Sequence, residues 1–140
     1  MEISFNGYDS ILKQCYKKGL LPTVKLGLYG GKLTKKNVSL EHLIPVSGGG
    51  KTDLSNFALT TKEANNLRGN APLKDFLRPD VAIRYLLQFK GVRIRNFNGQ
   101  NFDGNRYIAQ LLDLFNELGI FGKQVKKVKK NIRFSIDLYF

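Results

Sequence analysis

A proline and three consecutive glycines interrupt the middle of this chain and limit what its neighbours can form. The run Gly48-Gly49-Gly50 lies between Pro45 and Lys51. Proline lacks a backbone donor and glycine loses the most conformational entropy on ordering, so a regular helix or strand cannot continue through the segment. The segment is therefore a loop, and we expect an α+β fold in which it separates a strand from a helix.

Before the loop, the pattern of apolar residues indicates β-structure. Between residues 24 and 44 it predicts two strands around a turn at Gly30-Gly31-Lys32. Side chains alternate between the two faces of a strand, so we expect His42 and Glu41 on opposite faces of the second strand. A short helix over residues 9–18, ended by Gly19, is expected before these strands.

After the loop, helical signals begin. Thr60-x-x-Glu63 has the spacing of a capping box, which predicts the start of a helix. Gly69 and Pro72 are residue types that end helices, so the predicted helix is short. Asn65 is therefore expected inside a helix that closely follows the loop.

The rest of the chain predicts additional helices and a C-terminal strand. Apolar residues at helical spacing indicate helices over residues 80–90 and 105–118. A short strand and two turns are expected between them: residues 92–95, Asn98-Gly99 and Asp103-Gly104. Strict alternation from Ile132 to Phe140 predicts a half-buried strand.

Composition narrows the class of protein. With 140 residues, of which 42% are hydrophobic, the chain fits one domain over residues 1–140, while a boundary near residues 72–79 would leave two thin cores. No apolar run is long enough to span a bilayer and the N-terminus lacks the order of a secretion signal, so we expect a cytoplasmic protein without membrane partners. The lone Cys15 excludes an intramolecular disulfide and a cysteine-based zinc site.

Net charge points to a polyanionic partner. Lys and Arg number 23 against 11 Asp and Glu, which gives a formal charge of +12 and a pI near 9.9. Such a field attracts nucleic acid, although a protein that is merely basic is the simpler alternative. One cluster stands out for phosphate contact, with a solvated face as its alternative: Lys126, Lys127, Lys129 and Lys130.

One group of residues combines side chains that can take part in catalysis. His42 is the single histidine of the chain, Glu41 precedes it, and Asn56 and Asn65 follow the glycine loop. Hydrolysis of a phosphodiester needs a base that takes a proton from water and a cation that offsets charge on the phosphate. Imidazole suits the first role at cellular pH, and carboxylate and amide oxygens are ligands that magnesium prefers.

The order of these residues resembles the motif of the HNH endonuclease family. The match runs through Glu41-His42-Leu43-Ile44-Pro45, the glycine loop, Asn56, Asn65 and Arg68-Gly69, and covers roughly residues 26–78. The resemblance implies a ββα-metal core that cuts DNA, extended by a basic region over residues 79–140. Taken singly, each residue has an ordinary structural explanation. Their joint order favours the nuclease.

The resemblance also implies a role for each residue. His42 would be the general base, while Glu41 and Asn65 would hold Mg²⁺ or Mn²⁺. Asn56 would hold the loop and help to orient the imidazole. Beside such a core, Arg68, Arg93 and Arg95 are secondary candidates for contact with nucleic-acid phosphate. One base and one metal site imply that a monomer or weak dimer nicks DNA one strand at a time.

Two departures from the family pattern matter. Many members carry a zinc held by two Cys-x-x-Cys pairs, but the matching positions here are Gly27, Gly30, Thr61 and Ala64, so we expect no structural zinc. The acidic ligand is Glu41 where Asp is commoner, which shifts the carboxylate by about a bond length. A nucleic-acid-binding protein with a non-cutting HNH core is therefore the main alternative. By analogy, the free-standing size suggests a phage-type or mobile-element enzyme.

Overall fold

The structure is a computed structural model that describes residues 11–51 and 53–120. Within these residues the chain forms five α-helices and two two-stranded antiparallel sheets, so the predicted α+β class is confirmed. In chain order the elements are α1 (Ile11–Lys17), β1 (Val38–His42), β2 (Phe57–Thr61), α2 (Lys62–Arg68), α3 (Leu73–Phe76), α4 (Pro79–Leu87), β3 (Arg93–Phe97), β4 (Gln100–Asp103) and α5 (Gly104–Glu117). No helix in this part of the chain is long and apolar enough to cross a membrane.

The first sheet is a hairpin that spans the glycine loop. β1 pairs with β2 in antiparallel register, from Val38 opposite Thr61 to His42 opposite Phe57, and α2 starts directly after β2. The prediction of two strands within residues 24–44 is wrong. Its first half forms a turn with one isolated bridge, between Leu26 and Lys32, and the partner of β1 comes after the loop. All five residues of β2 are buried, so the sequence of this strand shows no alternation.

Helix α2 begins one residue later than the capping-box spacing predicts. Thr61, not Thr60, is the N-cap, and its Oγ1 accepts from the backbone N–H of Ala64 at 3.1 Å. Gly69, with a φ of 52°, ends the helix as predicted. Asn65 therefore lies in the second turn of a short helix, where the sequence places it.

The second sheet is a tight hairpin in the C-terminal half. Asn98 and Gly99 form its two-residue turn with φ angles of 52° and 80°, the positive values that favour such hairpins, so the predicted turn is confirmed. The predicted turn at Asp103-Gly104 is wrong, because Asp103 caps α5 by accepting from the N–H of Asn105 at 3.0 Å. The predicted C-terminal strand and the lysine cluster at residues 126–130 lie outside the described residues.

A tyrosine relay, formed by the hydroxyls of Tyr85 and Tyr107, connects helices α4 and α5 to β2 through hydrogen bonds. The N–H of Leu59 donates to the Tyr85 hydroxyl at 2.9 Å, the Tyr85 and Tyr107 hydroxyls are 2.9 Å apart, and Tyr107 donates to the Phe57 carbonyl at 2.6 Å. Burial raises the pKa of both tyrosines, so both hydroxyls keep their protons and can donate. The hairpin and helices α4 and α5 thus share one core.

Removal of one hydroxyl should measure the strength of this relay. Tyr107→Phe leaves the buried Phe57 carbonyl without its donor, so we expect the free energy of unfolding to fall by about 1–3 kcal/mol. Urea unfolding gives the value. Tyr16→Phe, at a half-buried tyrosine of α1 outside the relay, is the matched control and should change stability much less. Equal stabilities of the two variants would contradict a structural role for the relay.

Candidate functional site

Asn56 joins the two ends of the loop between β1 and β2. Its Oδ1 accepts from the N–H of Ile44 at 2.8 Å, and its Nδ2 donates to the carbonyls of Ile44 at 2.8 Å and Lys51 at 2.9 Å. The residue is buried, so these bonds satisfy an amide that water does not reach. The contacts by which Asn56 is predicted to hold the loop are therefore present.

Gly50 lies where the loop crosses its own beginning. A Cβ at this position would be 1.8 Å from the carbonyl oxygen of Ile44 and 2.9 Å from Nδ2 of Asn56. Because no side chain fits at such distances, the loop can close in this way only with glycine there. Both ends of the loop consequently lie beside the end of β1, which His42 occupies.

His42 is the last residue of β1, and its ring is half-buried. The ring packs edge-on against Phe57, its partner across the hairpin, with 4.7 Å between ring centroids. Within the described residues Nε2 is buried and has no hydrogen-bond partner. No hydrogen bond joins Asn56 to the imidazole in this part of the chain, so Phe57, the residue after Asn56, provides the ring's observed contact.

Glu41 points into the protein with one carboxylate oxygen fixed by two donors. Its Oε2 accepts from the Tyr29 hydroxyl at 2.9 Å and from Nη1 of Arg68 at 3.2 Å. Burial, followed by the charge of Glu41, raises the pKa of Tyr29, so the phenol keeps its proton and donates. The residue is 8% exposed, so this is a buried carboxylate with a positive partner.

Arg68 lies in the interior, and the predicted nucleic-acid contact needs correction. The residue is 7% exposed. Besides Glu41, its guanidinium donates to oxygen atoms of Tyr29, His42, Leu43 and Ala71, at 3.0, 3.4, 3.1 and 3.0 Å. Because these donors are engaged inside the protein, Arg68 cannot offer them to a phosphate without unfolding the end of α2. It supports Glu41 instead.

Asn65 reaches the same carboxylate from α2. Its side-chain amide lies 3.0 Å from both carboxylate oxygens of Glu41. With Nδ2 toward Glu41, the amide donates to both oxygens and its Oδ1 accepts from Ser39 Oγ at 3.1 Å. With Oδ1 toward Glu41, Nδ2 donates to Ser39 Oγ at 3.1 Å instead. The Ser39 hydroxyl can thus support either orientation, since it both donates and accepts.

Glu41 and Asn65 carry oxygen atoms of the kind that a hard divalent ion takes as ligands. No group of three or more His, Cys, Asp or Glu side chains converges within the described parts of the chain, so these two residues would have to hold the ion without a third such side chain. Magnesium usually keeps several waters and binds through one or two carboxylates and substrate phosphate. The 3.0 Å between the Asn65 amide and the Glu41 carboxylate is a hydrogen-bond distance, and Asn65 would bind a metal ion only with Oδ1 turned toward the ion.

The turn of Gly27 and Gly30, where the HNH resemblance would place a cysteine pair, packs on β2. A Cβ on Gly27 would lie 3.1 Å from Cα of Thr60, and the N–H of Leu28 donates to the Leu59 carbonyl at 2.9 Å. Backbone contacts therefore attach this turn to the sheet. The expectation that the fold needs no structural zinc stays a prediction.

Sequence reasoning found Glu41 and Asn65 but missed what surrounds them. Tyr29 gives no signal in the sequence, because its contact with Glu41 depends on how the glycine turn folds back on the hairpin. A signal for Arg68 did exist. It lies three residues after Asn65, and residues at this spacing share one face of a helix.

Comparisons with known proteins identify no family for this chain. No protein-family model, curated protein or solved structure matches this chain. The HNH family stays a resemblance.

Loss of the Arg68 charge should destabilise the fold strongly. Arg68→Met leaves the carboxylate of Glu41 buried without its positive partner, so we expect the free energy of unfolding to fall by about 3–5 kcal/mol. Arg68→Lys keeps a charge but not the planar fork, so a smaller loss is expected. Denaturant titrations of both variants provide the measurement. A methionine variant as stable as the lysine variant would show that the ion pair contributes little.

Proposed function

We propose that this chain is a divalent-metal-dependent endonuclease that hydrolyses DNA phosphodiester bonds. One observation carries the proposal. The side chains of Glu41 and Asn65, far apart in sequence, meet at 3.0 Å beside the strand that carries His42. These are the two residues for which the HNH resemblance implies metal binding. The net charge of +12 supports a nucleic-acid substrate.

The order of elements supports an HNH-type core. Strand β1, the closed loop, strand β2 and helix α2 follow one another without interruption, as the ββα-metal core requires. His42 ends the first strand, Asn56 closes the loop, and Asn65 lies in the helix. The proposal therefore does not depend on one residue, because three elements contribute to the site.

His42 is proposed as the base that takes a proton from the attacking water. A structural histidine inside a protein normally has its ring nitrogens hydrogen-bonded. No group of the described residues hydrogen-bonds Nε2 of His42, and the ring packs edge-on against Phe57. Because Nε2 is buried, the attacking water would have to meet the part of the half-buried ring that solvent reaches.

Glu41 and Asn65 would hold the divalent ion, with Arg68 and Tyr29 behind the carboxylate. When bound, the ion would offset negative charge on the phosphate and the leaving oxygen. Tyr29 and Arg68 hold Oε2 of Glu41, and the Asn65 amide faces both carboxylate oxygens. The Arg68 charge lowers the attraction of Glu41 for a second cation. We therefore expect weak binding of the ion alone and stronger binding with substrate phosphate present.

The same ion pair favours a second candidate function. Arg68 lies 3.2 Å from Glu41, where it offsets the carboxylate charge that a metal ion would otherwise balance. A protein with this arrangement could bind nucleic acid and not cut it. The two candidates differ in one measurable property, which is magnesium-dependent loss of phosphodiester bonds.

A plasmid assay tests the proposal directly. With magnesium, supercoiled plasmid should turn first into open circles and later into linear DNA, because one base and one metal site can cut one strand at a time. Excess chelator should stop the reaction. Intact plasmid at all magnesium and manganese concentrations would leave only the non-cutting alternative. Direct appearance of linear DNA would instead indicate a paired enzyme.

Two substitutions should separate the base from the metal ligand. His42→Ala should slow nicking by about 10²–10⁴-fold at every magnesium concentration, because no other histidine can replace it. Asn65→Ala should instead raise the magnesium concentration needed for half-maximal nicking, so that added metal partly restores the rate. Asn66→Ala, the exposed neighbour on α2, is the matched control and should nick at the wild-type rate. Nicking by His42→Ala at the wild-type rate would contradict the assignment of the base.

A further inference from the structure

A groove opens beside the loop that Asn56 closes. It lies between the β3–β4 hairpin, the first turn of α5 and the part of the loop before β2, and its volume is about 1180 Å³. Lys51 and residues 53–55 form its loop side, residues 93–95 and 99–103 its hairpin side, and Arg106 projects from α5. None of the proposed metal ligands or base residues lines it, so it is a separate feature of the surface.

The groove carries an excess of positive charge. Four cations line it against two carboxylates: Lys51, Arg93, Arg95 and Arg106 against Asp53 and Asp103. Both carboxylates already accept internal hydrogen bonds, Asp53 from the N–H of Ser55 at 2.9 Å and Asp103 from the N–H of Asn105 at 3.0 Å. Lys51, Arg95 and Arg106 are exposed to solvent. An anionic ligand is therefore favoured over a cationic or neutral one.

The aromatic residues of the groove do not offer a surface for base stacking. Phe102 is 3% exposed and Tyr107 is 1% exposed, and both rings pack against Phe89 and each other. Proteins that bind single strands stack bases on accessible rings. Exposed cations without such rings instead match the phosphate backbone of a duplex.

The groove is connected to the proposed site by Tyr107 and by the loop. Tyr107, which lines the groove, donates to the carbonyl of Phe57 at 2.6 Å, and the Phe57 ring contacts the His42 ring with centroids 4.7 Å apart. The loop also belongs to both features, because Asn56 holds Lys51 at the groove end and Ile44 beside His42. The groove and the His42 ring are therefore connected through the core of the protein.

We infer that this groove binds the phosphate backbone of duplex DNA, with Arg95 and Arg106 as phosphate contacts. The inference rests on the proposed DNA substrate and extends it to a second surface of the protein. Arg93 is left out of the test, because it faces Asp103 in the hairpin ladder and its loss could disturb the fold.

The test compares two double variants that lose the same charge. Arg95→Ala with Arg106→Ala removes the groove cations, and Lys35→Ala with Lys36→Ala removes two exposed cations from the turn before β1. Both are made in the full chain with His42→Ala, so that the probe stays intact. Fluorescence anisotropy with a labelled duplex of about 20 base pairs, in chelator and over a range of salt, gives the Kd and its salt dependence.

The groove variant should bind the duplex about 10–100-fold more weakly at about 0.1 M salt, with a log–log salt slope that is smaller by about 2. The control should change much less. Equal slopes for both variants would overturn the inference, and so would tighter binding of a single strand than of the duplex. Cleavage is measured separately, with the plasmid assay. Weaker duplex binding by the groove variant, together with no nicking by the wild type, would retain the groove and reject the nuclease. Unimpaired duplex binding by the groove variant, together with unimpaired nicking by Arg95→Ala with Arg106→Ala in a chain that keeps His42, would do the reverse.

Discussion

The buried guanidinium of Arg68 is the interaction on which the rest of the hairpin and helix depends. A charge inside a protein is tolerated only when it is paired and its donors are satisfied. Arg68 meets this condition through Glu41 on β1, Tyr29 on the glycine turn and backbone carbonyls at the end of β1 and after α2. The turn, the strand and the helix must therefore be in place together, since an error in any one of them leaves a buried charge unpaired.

Because of these contacts, the Glu41 carboxylate has different partners on its two sides. Tyr29 and Arg68 hold Oε2 from the interior, and the amide of Asn65 faces the carboxylate from α2. The support resembles the way that outer hydrogen bonds orient metal ligands in many proteins. Here one of the supporting groups, Arg68, is itself a cation. The contact that orients the Glu41 carboxylate therefore also offsets its negative charge. If Glu41 holds a metal ion as proposed, the contact that positions its carboxylate would also weaken its attraction for that ion.

Much of the fold follows from local signals, and the errors have physical causes. The turn at Asn98-Gly99, helix α5 and the place of Asn65 in α2 were predictable, because turn chemistry and helical spacing act over a few residues. Strand β2 was missed because both of its faces are buried, which removes alternation. The contact between Glu41 and Asn65 agrees with their order along the chain, and their role as metal ligands stays a prediction. The burial of Arg68 was not predictable, because it depends on Tyr29, Leu43 and Ala71, which only the folded chain brings together.

The tyrosine relay also occupies backbone groups along the outer edge of β2, where another chain could pair. An antiparallel pair leaves each strand with a row of outward N–H and C=O groups, which can template the addition of a further strand from another molecule. On β2 the outward groups of Phe57 and Leu59 are already bonded to Tyr107, Tyr85 and the N–H of Leu28. The strand that is buried on both faces is thus also closed along this edge. The β2 edge of this two-stranded sheet is thus protected from pairing with another chain by groups that contribute no strand of their own.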